Sequence, residues 1–128
     1  MPTISTKSVA ERLHIKPNKK VAIVNAPADY DKTLGKIPQG AIIRHDSNAP
    51  ADVIQLFVRD NAELQRDLPI VRAKLNPNGS LWVSYYKGTS KHKTDLNRDA
   101  IAAYATTIGL EVVAIINVDD DWSAVRLK

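Results

Sequence analysis

The feature that most constrains the fold is a strand with bulky residues on both faces. Ser80 to Tyr86 reads SLWVSYY, and its aromatic and β-branched content marks a strand. Alternation places Leu81, Val83 and Tyr85 on one face and Trp82, Ser84 and Tyr86 on the other. A strand with large apolar groups on both sides needs cover on both sides, as in a parallel sheet flanked by helices. The flanking residues agree. Asn76-Pro77-Asn78-Gly79 is turn chemistry, with Pro77 presetting φ and Asn78 and Gly79 tolerating positive φ. Lys87 to Lys93 is a polar loop carrying Lys87, Lys91, His92 and Lys93. Thr94 or Asp95 then caps a helix.

The remaining chain alternates in the same way. Ser8 and Glu11 have capping-box spacing, which predicts a short helix over 8–14. Lys20 to Asn25 is a strand with an unbroken apolar run, as central parallel strands have. Helical turns over 30–35, a short strand over 41–44 and a strand over 52–59 follow. Asp60 and Glu63 open a helix whose stripe is Leu64, Leu68, Val71 and Leu75, and Pro69 inside it predicts a kink or break. The clearest helix runs from Asp95 to Ile108, with Leu96, Ala100, Ile101, Tyr104 and Ile108 on one side and Gly109 at its stop. Glu111 to Val118 and Trp122 to Leu127 are strands joined only by Asp119-Asp120-Asp121. That join is too short for a crossover, so the two form an antiparallel hairpin.

This order predicts an α/β fold with a mostly parallel three-layer sheet that ends in a hairpin. No linker or repeat divides residues 1–128, which read as one domain. Hydrophobic content of 44% and charged content of 25% suit a globular chain with its own core. No apolar run has membrane length, and no signal-peptide pattern is visible. Cysteine is absent, which excludes thiolate chemistry and disulfides and fits a cytoplasmic protein.

The net charge is +4, with a sequence pI near 9.4. Residues 1–45 hold eight Lys/Arg against three Asp/Glu, while residues 76–128 hold six of each. The surplus is therefore N-terminal. Lys16, Lys19 and Lys20 lie at the start of the first strand, at the opposite end of the sheet from a ligand crevice. A solvated basic surface accounts for them more simply than a nucleic-acid face.

In a doubly wound sheet the loops leaving the carboxyl ends of strands line the crevice. The candidates there are Asn25, Asp29 and Tyr30 after the first strand, Arg59 after the third, and Lys87, Ser90, Lys91 and Asp95 after the aromatic strand. Asn25 either meets a ligand or closes its own turn onto Pro27. Arg59 has Asp60, Asp95 or Asp29 as structural partners. The lysine loop has anion-binding chemistry, but a carboxylate at Asp95 already occupies the helix cap. The three histidines lack metal-ligand spacing, and the three consecutive aspartates read as an acidic turn rather than a cation site. No serine elbow or P-loop is present. The strand over 111–118 falls at the sheet edge, is rich in apolar residues and carries no lysine, so it predicts cover by a partner, such as a second copy.

The segment Leu75-Asn76-Pro77-Asn78-Gly79-Ser80-Leu81-Trp82-Val83 resembles the late helix end, Pro-Gly turn and strand of the class I methyltransferase fold. The whole chain, from about Ser8 to Leu127, more closely resembles a family of small bacterial proteins with a domain of unknown function. The residues that carry this resemblance are Val24-Asn25-Ala26-Pro27, Phe57-Val58-Arg59, Gly79-Ser80-Leu81-Trp82-Val83, Lys87, Thr94-Asp95-Leu96 and Asp121-Trp122-Ser123. Tyr85-Tyr86 stands where that family implies a Trp-Pro pair.

The methyltransferase resemblance implies a Rossmann-like sheet, a glycine-rich cofactor turn after the first strand, and an acidic residue after the second strand to hold a ribose. Here the turn is Asn25-Ala26-Pro27-Ala28-Asp29-Tyr30, with no glycine before Gly35, and Pro27 removes a backbone donor. Only Asp46 stands where the ribose carboxylate would be. One strand-helix unit after residue 44 is missing, because 45–52 is too short to hold it. The sequence thus leads to a trimmed scaffold serving as a non-enzymatic binding or interaction module, with no cofactor. The alternative is a divergent enzyme that binds S-adenosylmethionine or a nucleotide through Asn25, Asp46, Arg59 and Lys87. Weak nucleic-acid binding through the N-terminal lysines ranks third.

Overall fold

Among the described residues, six strands form where the apolar and β-branched runs lie, and they join one mixed sheet. The computed structural model describes residues 8–46, 48–88, 91 and 94–128. The strands are β1 (Lys20–Val24), β2 (Ile42–Arg44), β3 (Ala51–Phe57), β4 (Leu75–Tyr86), β5 (Val112–Asn117) and β6 (Trp122–Leu127), in the spatial order β2-β1-β3-β4-β6-β5. β1 to β4 run parallel, and β6 lies antiparallel between β4 and β5. The expected hairpin is present, and β5 is the expected edge.

Helices cover both faces, as the aromatic strand requires. α1 (Val9–Arg12) and α2 (Tyr30–Leu34) pack with Val21, Ile23, Val53, Phe57, Trp82 and Trp122. α3 (Asn61–Arg72) and α4 (Arg98–Thr107) pack with Ile54, Leu56, Leu81, Val83 and Val125. The alternation in β4 is the one expected, with Leu81, Val83 and Tyr85 under α3 and α4, and Trp82 on the other side. Among the described residues no helix is long and apolar enough to cross a membrane.

Three expectations are corrected. α3 runs through Pro69 without a break. A helical proline orphans the carbonyl four residues earlier, and here the Tyr104 hydroxyl, reaching over from α4, donates to that Gln65 carbonyl at 3.4 Å. The expected α3 stripe stops short of Leu75, which begins β4 and pairs with Ala51. Asn76 to Gly79 are then a bulge inside β4, four residues facing Asp52 alone, because Val53 pairs with Ser80. Asn78 takes φ 64° as expected, but Gly79 serves close approach instead. A Cβ there would lie 2.7 Å from the Asp52 carbonyl oxygen. Finally, α4 is capped neither by Thr94 nor by Asp95. The Asn97 side chain accepts from the Ala100 N–H at 2.8 Å.

Among the described residues no helix or strand lies between β2 and β3, which accords with the strand-helix unit expected to be missing there. Parallel strands ordinarily need a crossover of a dozen residues, yet residues 45–50 suffice. β2 is only three residues long and ends level with Ala22, which in turn is level with Ile54. The return to Ala51 covers two strand spacings and three residues of rise, roughly 14 Å. Six residues give seven Cα–Cα steps from Arg44 to Ala51, which reach roughly 23 Å. Arg44 pins this short loop by donating to the carbonyls of Ala49 at 3.0 Å and Pro50 at 3.4 Å.

Candidate functional site

The turn after β1 is built without glycine. Asn25 takes φ 62° and Asp29 φ 60°, the left-handed region that Asn and Asp tolerate best among residues with a Cβ. The Asn25 amide neither closes onto Pro27 nor opens to a crevice. It donates to Asp67 Oδ2 of α3 at 3.2 Å, where Arg66 also holds the Asp67 carboxylate at 2.9 Å. Asp29 precedes α2 as its N-cap, but its side chain makes no capping bond.

Tyr30 points into the core. Its hydroxyl donates to Gln55 Oε1 at 2.7 Å, and Gln55 Nε2 donates to Ser84 Oγ at 2.8 Å. Gln55 and Ser84 are both 0% exposed. Burial pushes the Tyr30 phenol well above its ordinary pKa, so it stays a neutral donor. Its ring meets Phe57 edge-on at 4.7 Å, Phe57 meets Trp122 at 4.9 Å, and Trp122 stacks on Tyr86 at 4.2 Å. This packed polar and aromatic row lies under the carboxyl ends of β1, β3 and β4. It was not legible in the sequence, where Gln55 reads as one polar residue within an apolar run.

The other candidates are held by separate parts of the protein. Asp46 accepts from the Asn48 N–H at 3.1 Å within its own turn. Arg59 pairs with Glu63 at 3.7 Å, rather than with Asp29, Asp60 or Asp95. Asp95 secures α3 instead of α4, since its Oδ1 accepts from the Asn61 N–H at 2.9 Å. Lys87 turns toward the hairpin. Its N–H donates to the Asp121 carbonyl at 2.8 Å, and its ammonium donates to Asn117 Oδ1. Lys91 is exposed. Ser90, together with His92 and Lys93, lies outside the described residues. Among the described candidates no hydrogen bond or ion pair joins one to another.

The acidic turn is structural, because Asp119 Oδ1 accepts from the N–H groups of Asp121 at 2.8 Å and Trp122 at 2.9 Å. Among the described residues no group of three His, Asp or Glu side chains could hold a metal ion.

Two hollows flank the sheet ends. One, of about 320 Å³, lies beside the lysine loop and is lined by Tyr85, Gly88, Asn97, Arg98, Asp99 and Ile115. Burial raises the Tyr85 phenol above its ordinary pKa. Ile115 and Val113 of edge strand β5 are each 50% exposed nearby. The edge carries two protections that the sequence does not reveal. The pairing with β6 slips between Val112 and Ala114, and Arg12 donates to the Asn117 carbonyl. Bulges and covered carbonyls both discourage further pairing. The second hollow, of about 380 Å³, lies at the opposite end of the sheet between the α1–β1 loop and the β4 bulge.

Residues 10–128 match the family model described as "Protein of unknown function (DUF3052)". No curated protein sequence matches the chain. Among solved structures, the chain is similar to a ribosomal protein L11 methylase from Lactobacillus delbrueckii subsp. bulgaricus, with a TM-score of 0.61 and 12% identity over 94% of this chain and 74% of that one. It is similar to DhpI in a SAH complex, with a TM-score of 0.61 and 11% identity over 94% and 81% of the two chains. A putative type 11 methyltransferase from Sulfolobus solfataricus aligns with a TM-score of 0.55 and 11% identity over 93% and 88%. At these identities the likeness is one of fold: a Rossmann-like, methyltransferase-like sheet.

Proposed function

The chain belongs to the DUF3052 family, whose function is unknown, and from that premise we propose that it is a non-enzymatic binding or interaction module on a methyltransferase-like scaffold. The observation that carries this reading is the segment after β1. Asn25 is bonded to α3, Pro27 supplies no N–H, and Tyr30 is anchored in the core on Gln55. A cofactor approaching this turn needs close backbone donors, and these residues do not fit that need. Asp46, the one carboxylate available for a ribose, is exposed and, among the described residues, bonded only within its own turn, with no hydrogen bond or ion pair to Asn25, Arg59 or Lys87.

The face that suits an interaction is the corner between α4 and β5, where Val113 and Ile115 stand half-exposed beside the hollow lined by Tyr85 and Arg98. A second copy is the partner proposed for it.

Thermal shift with S-adenosylmethionine, its demethylated product and common nucleotides tests the reading. A ligand at 100 times its Kd adds about 2.7 kcal/mol, which is roughly several degrees in Tm for a domain of this size. No shift at millimolar concentration is the expected result. A shift with S-adenosylmethionine would overturn this reading in favour of a divergent S-adenosylmethionine-binding protein, with Asn25 and Asp46 as the first residues to substitute.

A further inference from the structure

We propose that the hollow at the amino ends of β3 and β4 binds a small phosphate ester that carries a free hydroxyl. The site is independent of the carboxyl-end crevice and lies at the other end of the sheet. The N-terminal surplus of cationic residues reaches it through Lys16 and Lys19, both of which line the hollow with His14, Asp52 and Ser80.

The structure builds this hollow from fixed parts. The Trp82 indole, deep in the sheet, donates to the Leu13 carbonyl at 3.0 Å and anchors the turn where His14 takes φ 65°. The His14 ring stands edge-on to Trp82, 5.8 Å between centroids. The Asn18 N–H donates to the Gln39 carbonyl at 3.1 Å, and the Lys19 carbonyl accepts from the Ile42 N–H at 2.9 Å. The two lysines therefore sit on a segment tied down on both sides. Opposite them, Pro77 to Gly79 bulge from β4, with Gly79 so near the Asp52 carbonyl that a Cβ would not fit. Asp52 joins the two walls, since its carboxylate accepts from the Lys20 N–H at 3.0 Å and from Asn76 Nδ2 at 3.1 Å.

The chemistry of the lining selects the ligand. Two ammonium groups offer point charges for an oxyanion, as lysines do at phosphate sites. Ser80, only 8% exposed, places a hydroxyl in the wall. Asp52 works against a ligand that is anionic throughout. A carboxylate has about four lone-pair sites, and two are used here, so Asp52 is able to accept from a ligand hydroxyl. The volume of about 380 Å³ exceeds what a bare phosphate fills and falls within the small-molecule range.

Calorimetry with glycerol phosphate, inorganic phosphate and citrate, each at an ionic strength matched with sodium chloride, tests the site. Glycerol phosphate is expected to bind more tightly than the other two. The double variant Lys16→Gln/Lys19→Gln is expected to raise its Kd about tenfold or more, and Ser80→Ala about threefold. Both lysines are exposed, so the double variant without ligand should melt with the wild type. Equal heats in the double variant, or binding that chloride reproduces, would overturn the proposal. Tighter binding of citrate would assign the hollow to carboxylates and overturn it too. So would retention of a single-stranded oligonucleotide without any glycerol phosphate binding, which would mark the lysines as a nucleic-acid face.

Discussion

At the scale of single residues, the core depends on one polar chain. Tyr30, Gln55 and Ser84 are buried and bonded in series. Removing one partner of a buried hydrogen bond leaves the other unsatisfied, which costs about 1–3 kcal/mol. Tyr30→Phe is thus expected to lower the stability measured by urea denaturation by that amount without changing the slope. Asp52 makes a second prediction. The Lys20 N–H first, and the Asn76 amide next, hold its carboxyl below the ordinary carboxylate value. A depressed folded-state pKa stabilises the fold above the unfolded value, near 4, and the gain is lost as pH falls through the folded pKa. The stability difference between wild type and Asp52→Asn should therefore be largest at neutral pH and shrink below about pH 4. Neither pairing was legible in the sequence. Gln55 and Tyr30 lie in separate elements, and only the packing of α2 on β3 brings them together. What the sequence did reveal at this scale was local: the Ser8–Glu11 capping box, the Asp60 cap and the positive φ of Asn78.

At the scale of elements, strand positions followed from apolar runs, while helix ends depended on contacts from elsewhere. The proline in α3 shows why. Read alone, Pro69 kinks or breaks the helix; the break does not occur, and Tyr104 of α4 supplies a donor to the Gln65 carbonyl that Pro69 leaves without one. Pro69→Ala restores the backbone N–H and should stabilise the protein by about 1 kcal/mol, the helical gain being partly offset by chain entropy. Tyr104→Phe should cost about 0.5 kcal/mol in the wild type and less in the Pro69→Ala background. A double-mutant cycle in urea measures both. The same logic moved Asp95 from the start of α4 to the start of α3: its carboxylate serves Asn61, and Asn97 caps the helix that follows. Sequence spacing offered Thr94 and Asp95 as caps and did not single out Asn97, because only the packing of α3 draws Asp95 away.

At the scale of the whole molecule, the mostly parallel sheet, its covered faces and its terminal hairpin were legible because β4 demands burial on both sides and the Asp119–Asp121 join forbids a crossover. The candidate site was less so. The residues after each strand were identified, but their side chains turn to different partners, and that depends on helix positions that no local pattern encodes. The half-exposed Val113 and Ile115 lead to one prediction here. Light scattering at micromolar concentration should give the mass of a dimer, and Ile115→Lys should shift it to that of a monomer, since a buried lysine lacks a partner there. A monomeric wild type would remove the second copy as the partner of this face. The six-residue passage from β2 to β3 has a consequence of another kind. Deleting two residues from 45–50 would leave five Cα–Cα steps, roughly 17 Å for a gap of roughly 14 Å, so the loop would be held almost fully extended. Lengthening it is cheap, because each doubling of a loop adds only about 0.6 kcal/mol. The join is therefore a splice point: an extra strand and helix could be grafted there beside β2 while β1 and β3 keep their places.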